Sequence, residues 1–184
     1  MHKKRFAGLS TALLLMILTS ACVNSEQSKH ERQIVGSWLF SQLQDDENMS
    51  VVMELNTDFQ EDKSEVFDGY MRIRAHVDDG DYANTITFEY AVTGGGTWEV
   101  DGDYFVEKIN KCDIRLQKVS TMIQLEDDDV YIGSMREMLE DGMPGIRSSI
   151  MKKSKDKIVK LTDDEFIIED EDGNRETYTK TVSK

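Results

Sequence analysis

From Ile34 onward, apolar and polar residues alternate with a period of two through most of the chain. In 85–93 (TITFEYAVT), Ile86, Phe88, Tyr90 and Val92 share one face and Thr85, Thr87, Glu89 and Thr93 the other, the pattern of a strand with one buried side. The longer run 67–77 sets Phe67, Met71, Ile73, Ala75 and Val77 against Asp68, Arg72, Arg74 and His76, with Gly69 marking a bend or bulge. Further strands are predicted at 38–43, 51–55, 97–100, 104–109, 114–125, 157–161, 165–168 and 176–182. Asp101-Gly102 and Asp172-Gly173-Asn174 supply residues that tolerate positive φ, as tight hairpins require, and Gly94-Gly95-Gly96 marks another connection or a sharp corner. About ten short strands joined mainly by such turns predict an all-β fold, an antiparallel sandwich or a closed barrel.

One segment breaks the alternation. Ser134-Met135-Arg136-Glu137 has the spacing of a capping box, so a helix is predicted to start there, with Met135, Met138 and Leu139 on one face. Gly142-Met143-Pro144-Gly145 should end it, because proline removes a donor and restricts the residue before it; 146–153 adds another turn or two. Such a helical insertion before the last hairpin would cover or plug one end of the fold.

The front of the chain follows different rules. Lys3, Lys4 and Arg5 precede the apolar run 13–18 (LLLMIL), the layout of a secretory leader and too short for a membrane span. Residues 23–33 (VNSEQSKHERQ) are polar and aperiodic and read, with Cys22, as a tether over 22–33; the eleven after the cysteine reach about 35–40 Å when extended. A single domain is expected over 34–184.

Charge narrows the partners. The chain has 22 Lys+Arg against 36 Asp+Glu; removing residues 1–21 with their three basic residues leaves 19 against 36, a formal −17. So acidic a surface repels phosphate backbones, and no nucleic-acid partner is expected. There are two cysteines, Cys22 and Cys112. Cys112 reads either as a small buried hydrophobe or as a thiol open to intermolecular pairing. Catalysis is not expected: of the three histidines only His76 lies in the folded region, on the polar face of its strand, and Ser134 is explained by capping. The acidic clusters at 45–47, 78–81, 126–129 and 169–172 fall at turns and miss the EF-hand spacing, so neither metal nor cofactor is expected.

Two resemblances follow from short motifs. Thr19-Ser20-Ala21-Cys22 behind the apolar run resembles a bacterial lipoprotein signal. The resemblance implies cleavage after residue 21 and acylation of Cys22, which would anchor the protein to membrane lipid, remove Cys22 from disulfide chemistry and leave Cys112 without an intramolecular partner. Val23 after the cysteine resembles the sorting pattern for the outer membrane, which implies a lipid-anchored envelope protein facing the periplasm. Gly36-Ser37-Trp38, followed by a strand, is similar to the G-x-W element of lipocalin-like domains of the calycin group; 96–104 and 157–178 are similar to bacterial lipocalin-like lipoproteins. That resemblance implies an antiparallel up-and-down barrel of about eight to ten strands, with Gly36 and Trp38 at its floor and Phe67, Met71, Ile73, Phe88, Tyr90 and Trp98 facing inward as candidate cavity residues. Such a barrel either fills with side chains or holds one small ligand. Two function classes follow: a non-catalytic binder of a small apolar ligand, or an interaction module that docks an envelope protein through its surface or helical insertion.

Overall fold

The computed structural model of the chain describes residues 27–78, 83–122 and 128–181. The leader, Cys22, the start of the expected tether and parts of the acidic clusters at 78–81 and 126–129 lie outside the described residues.

Eight strands follow one another around a closed antiparallel barrel in sequence order. They are β1 (Gly36–Asp45), β2 (Met49–Phe59), β3 (Ser64–Asp78), β4 (Ala83–Asp101), β5 (Tyr104–Thr121), β6 (Ser154–Leu161), β7 (Glu165–Glu169) and β8 (Arg175–Lys180). β1 closes the ring by pairing with β8 from Trp38↔Lys180 to Phe40↔Tyr178. A helix α1 over 27–34 precedes β1, and a longer helix α2 (Asp128–Ile150) lies between β5 and β6.

The strands number eight rather than about ten because two pairs of predicted strands are continuous. Residues 85–93 and 97–100 both belong to β4, which passes through Gly94-Gly95-Gly96 without turning. A Cβ at Gly94 would run into the Phe67 ring and the Lys111 carbonyl oxygen, so the glycine is needed for close approach of neighbouring strands rather than for a corner. The predicted strands at 104–109 and 114–125 likewise join in β5, and the register between β4 and β5 slips at Gly95/Gly96, leaving Asn110 as an extra residue.

The part of the expected tether that is described, 27–33, is helical and docked rather than extended. Its anchors are polar, which is why the composition reads as linker. The Gln27 side-chain amide donates to the Val100 carbonyl at 2.8 Å, Glu31 pairs with Lys63 at 2.9 Å, and the Lys180 ammonium donates to the Val35 carbonyl at 2.8 Å. Ile34, which ends α1, is fully buried.

Helix α2 also departs from expectation. It is already formed at Asp128, so Ser134 lies in its interior rather than at its cap, and it runs for 23 residues through Pro144. Ile132, Met135, Leu139, Met143, Ile146 and Ile150 recur every three or four residues and pack as one stripe on the barrel core. Because that stripe stays in phase across 142–145, tertiary packing outweighs the local break, and Pro144 sits on the exposed face where water can serve the freed carbonyl. Met143 joins the stripe, whereas Met138 is 56% exposed.

The core has two parts. At one end Trp38, Phe40, Phe59, Trp98, Phe105, Phe166 and Tyr178 form an aromatic floor, with ring centroids such as Phe59–Phe105 at 5.5 Å and Phe105–Phe166 at 5.2 Å. At the other end Phe67, Met71, Ile73, Phe88, Tyr90 and Cys112 pack under α2. Gly36 adopts φ +123°, and a Cβ there would meet the Lys180 ammonium at 2.9 Å. The glycine therefore lets Lys180 reach the carbonyls after α1 while its ammonium stands 4.3 Å from the centre of the Trp38 ring.

Candidate functional site

The barrel wall is uneven, and this creates the site. β5 pairs with β6 only from Tyr104↔Lys157 to Glu107↔Ser154 although it continues to Thr121, and β1 leaves β8 after Phe40. The far halves of β1 and β5 are thus unpaired on the sides that face each other. Between them, beside the end of α2, a cleft of about 270 Å³ leads from solvent into the barrel. Its volume lies near the lower end of ordinary small-molecule sites, roughly 300–1,000 Å³.

Strand alternation sets its lining. Phe40, Met53, Leu55, Phe67 and Ile109 point inward from β1, β2, β3 and β5, and Ile150 closes the apolar wall from α2. The polar groups come from the same inward phase: Thr57 two residues before Phe59, Glu107 two after Phe105, Asp156 two before Ile158, and Glu176 two before Tyr178. Gln42 completes this side, and Lys152 stands exposed at the rim. A smaller depression of about 200 Å³ shares Gln42, Asp156 and Glu176 and extends to Asp170 and Arg175. Arg175 is engaged outside it by Glu169 at 2.7 Å.

Behind Glu107 stands Glu65 of β3, in phase with Phe67 and 1% exposed. Among the described residues only the facing Glu107 carboxyl offers its oxygens a hydrogen bond. Burial pushes the Glu65 carboxyl up to about 7, partly offset by a hydrogen bond with Glu107. Burial, reinforced by the charges of Glu65, Glu176 and Asp156, pushes Glu107 well above the usual carboxylate range. Burial raises Glu176 too, although the Tyr178 hydroxyl donates to it at 3.2 Å. Tyr178 is raised by burial and then by Glu176 and Glu107. The interior therefore holds a connected line of carboxyl groups from four strands, with one exposed lysine at its mouth.

The structure distributes the sequence-predicted residues as follows. Phe67 lines the cleft. Met71, Ile73, Phe88 and Tyr90 pack under α2, and Trp98 belongs to the aromatic floor, where its indole N–H donates to the Ser64 carbonyl at 3.1 Å. Gly36 and Trp38 sit where α1 meets β1, and the Trp38 N–H donates to the Ile34 carbonyl at 2.6 Å. Cys112 is 7% exposed in the core, free of any disulfide, and burial raises its thiol pKa. His76 is exposed on β3, with Nδ1 3.0 Å from the Thr85 hydroxyl. Sequence reading missed the carboxyl line of Glu65, Glu107, Asp156 and Glu176. Their signal is an acid at the inward phase of a strand.

No family model matches the chain, and no curated protein matches it in sequence. The fold and the cleft define it by themselves: an eight-stranded antiparallel barrel, floored by aromatic side chains, covered by a helix and entered from the side.

Proposed function

We propose that this protein is a lipid-anchored bacterial envelope protein of lipocalin-like type, facing the periplasm from the outer membrane, that binds a small ligand in its side cleft without transforming it. The observation that carries the binding role is the cleft itself, where a concave apolar wall meets a few convergent polar side chains between a packed floor and a packed helix. Phe40 and Tyr178 join the cleft to the packed aromatic floor, which supports a preorganised site. The anchoring role rests on Thr19-Ser20-Ala21-Cys22 behind its apolar run.

Native mass spectrometry of the full chain extracted from membranes tests the first role. A single small molecule that is retained in the native spectrum and lost on denaturation is the expected result; a recurrent protein partner with an empty barrel would favour the interaction-module alternative. Cys22→Ser tests the second. The variant should lose incorporation of a fatty-acid analogue and leave the membrane fraction, and persistent labelling would refute acylation at this residue.

A further inference from the structure

The carboxyl line has a consequence for the kind of ligand. Glu107, Asp156 and Glu176 line the cleft from β5, β6 and β8, and Glu65 of β3 faces Glu107 from behind, where only the Glu107 carboxyl itself shares a hydrogen bond with it and no cation stands nearby among the described residues. Buried carboxylates destabilise the fold unless they are paired or protonated. Among the described residues Lys152 supplies the one cation in the lining of the main cleft, at its exposed rim. An anionic ligand would meet like charge on three strands. A wholly apolar one would bury these acids further without pairing them.

A metal ion fits poorly as the missing counter-charge, because among the described residues no three of His, Cys, Asp or Glu are grouped closely enough to ligate one. The acids are strung along the cleft, a spacing suited to a larger cation with several N–H donors. Opposite them lies the apolar wall of Phe40, Met53, Leu55, Phe67, Ile109 and Ile150. We propose that the cleft selects a small amphiphilic organic cation, its ammonium group held by Glu107 and Glu176 with Glu65 behind them, and its apolar body against Phe67 and Ile109. The inference rests on the binding role proposed above and adds the sign of the ligand's charge.

Three probes of similar size and different charge separate the two: phenethylammonium, 2-phenylethanol and 3-phenylpropanoate. Each is titrated calorimetrically into the full chain in phosphatidylcholine nanodiscs at pH 8, with empty nanodiscs as reference. Phenethylammonium should bind one per chain, at least tenfold more tightly than the alcohol and more tightly still than the carboxylate. Glu107→Gln and Glu176→Gln keep side-chain shape while removing charge, so both should fold, and each should weaken phenethylammonium binding by tenfold or more. Equal binding of the alcohol and the ammonium, or unchanged affinity in both variants, would overturn the cation inference and leave the binding role standing. Failure of all three probes to bind would overturn both.

Discussion

Replacing Trp38 with alanine should lower the free energy of unfolding by about 3–5 kcal/mol, a large part of the 5–15 kcal/mol typical of a domain. The indole is fully buried. It meets Phe166 edge-on at 6.0 Å between centroids, carries the Lys180 ammonium on one side and donates its N–H to the Ile34 carbonyl at 2.6 Å. Truncation opens a void beneath surroundings that cannot collapse, because Phe59, Phe105 and Phe166 are held by one another in edge-to-face contacts. It also strands the Ile34 carbonyl and removes the surface against which Lys180 lies, so α1 should detach before the barrel opens. Urea denaturation followed by circular dichroism measures the first effect, and limited proteolysis within 27–34 the second. Trp38→Phe separates the contributions: it restores most of the volume but not the donor, and should cost about 1–2 kcal/mol. A loss below about 1 kcal/mol for the alanine variant would mean that this residue does not hold the floor in place.

The barrel was legible in the sequence because its driving force is written with a period of two. Ile86, Phe88, Tyr90 and Val92 point inward as the alternation demands, and the Asp101-Gly102 and Asp172-Gly173 turns join neighbouring strands. What was misread depends on contacts between residues distant in the chain. The glycines at 94–96 look like a turn until Phe67 and Lys111 are known to crowd them. The segment 27–33 looks like a linker until Val100, Lys63 and Lys180 offer partners. Pro144 looks like a stop until the stripe on α2 is seen to have a core to cover.

The site was hidden for a related reason. An acidic chain places carboxylates at so many positions that their number carries no information; only strand phase distinguishes Glu107 from Glu99, and only the start of β3 distinguishes Glu65 from Glu61 in the turn before it. Apolar residues at inward positions predict a core whether or not it is hollow; that the cleft reaches Phe67 and not Met71 follows from where β5 parts from β6. An acid two residues from a buried aromatic, as in Glu65-Val66-Phe67, Phe105-Val106-Glu107 and Glu176-Thr177-Tyr178, was the readable sign.

Stability should fall as pH rises from about 4.5 to about 7, the reverse of what surface carboxylates produce. Glu65 has an ordinary value of 4.5 and is pushed up to about 7 by burial in the folded protein. Between those values the folded state holds a proton that the unfolded chain has released, so stability from this group is complete below the lower value and lost as pH passes the higher. The difference amounts to roughly 3 kcal/mol. Glu107 and Glu176, both raised mainly by burial, act in the same direction. The exposed carboxyls of Asp62, Asp101 and Asp170 are held below their ordinary value of 3.8 by hydrogen bonds, so their opposite effect falls at lower pH, outside this window. Glu65→Gln is neutral throughout. It should match the parent near pH 4.5, exceed it at pH 8, and flatten the decline between, also because Glu107 loses a facing charge. Urea midpoints at half-unit pH steps measure this. A stability that is flat or rising over the window, or a variant weaker than the parent at pH 8, would contradict the assignment. Because a bound ammonium would do at pH 8 what the proton does at pH 5, phenethylammonium should raise the parent's unfolding midpoint more at pH 8 than at pH 5.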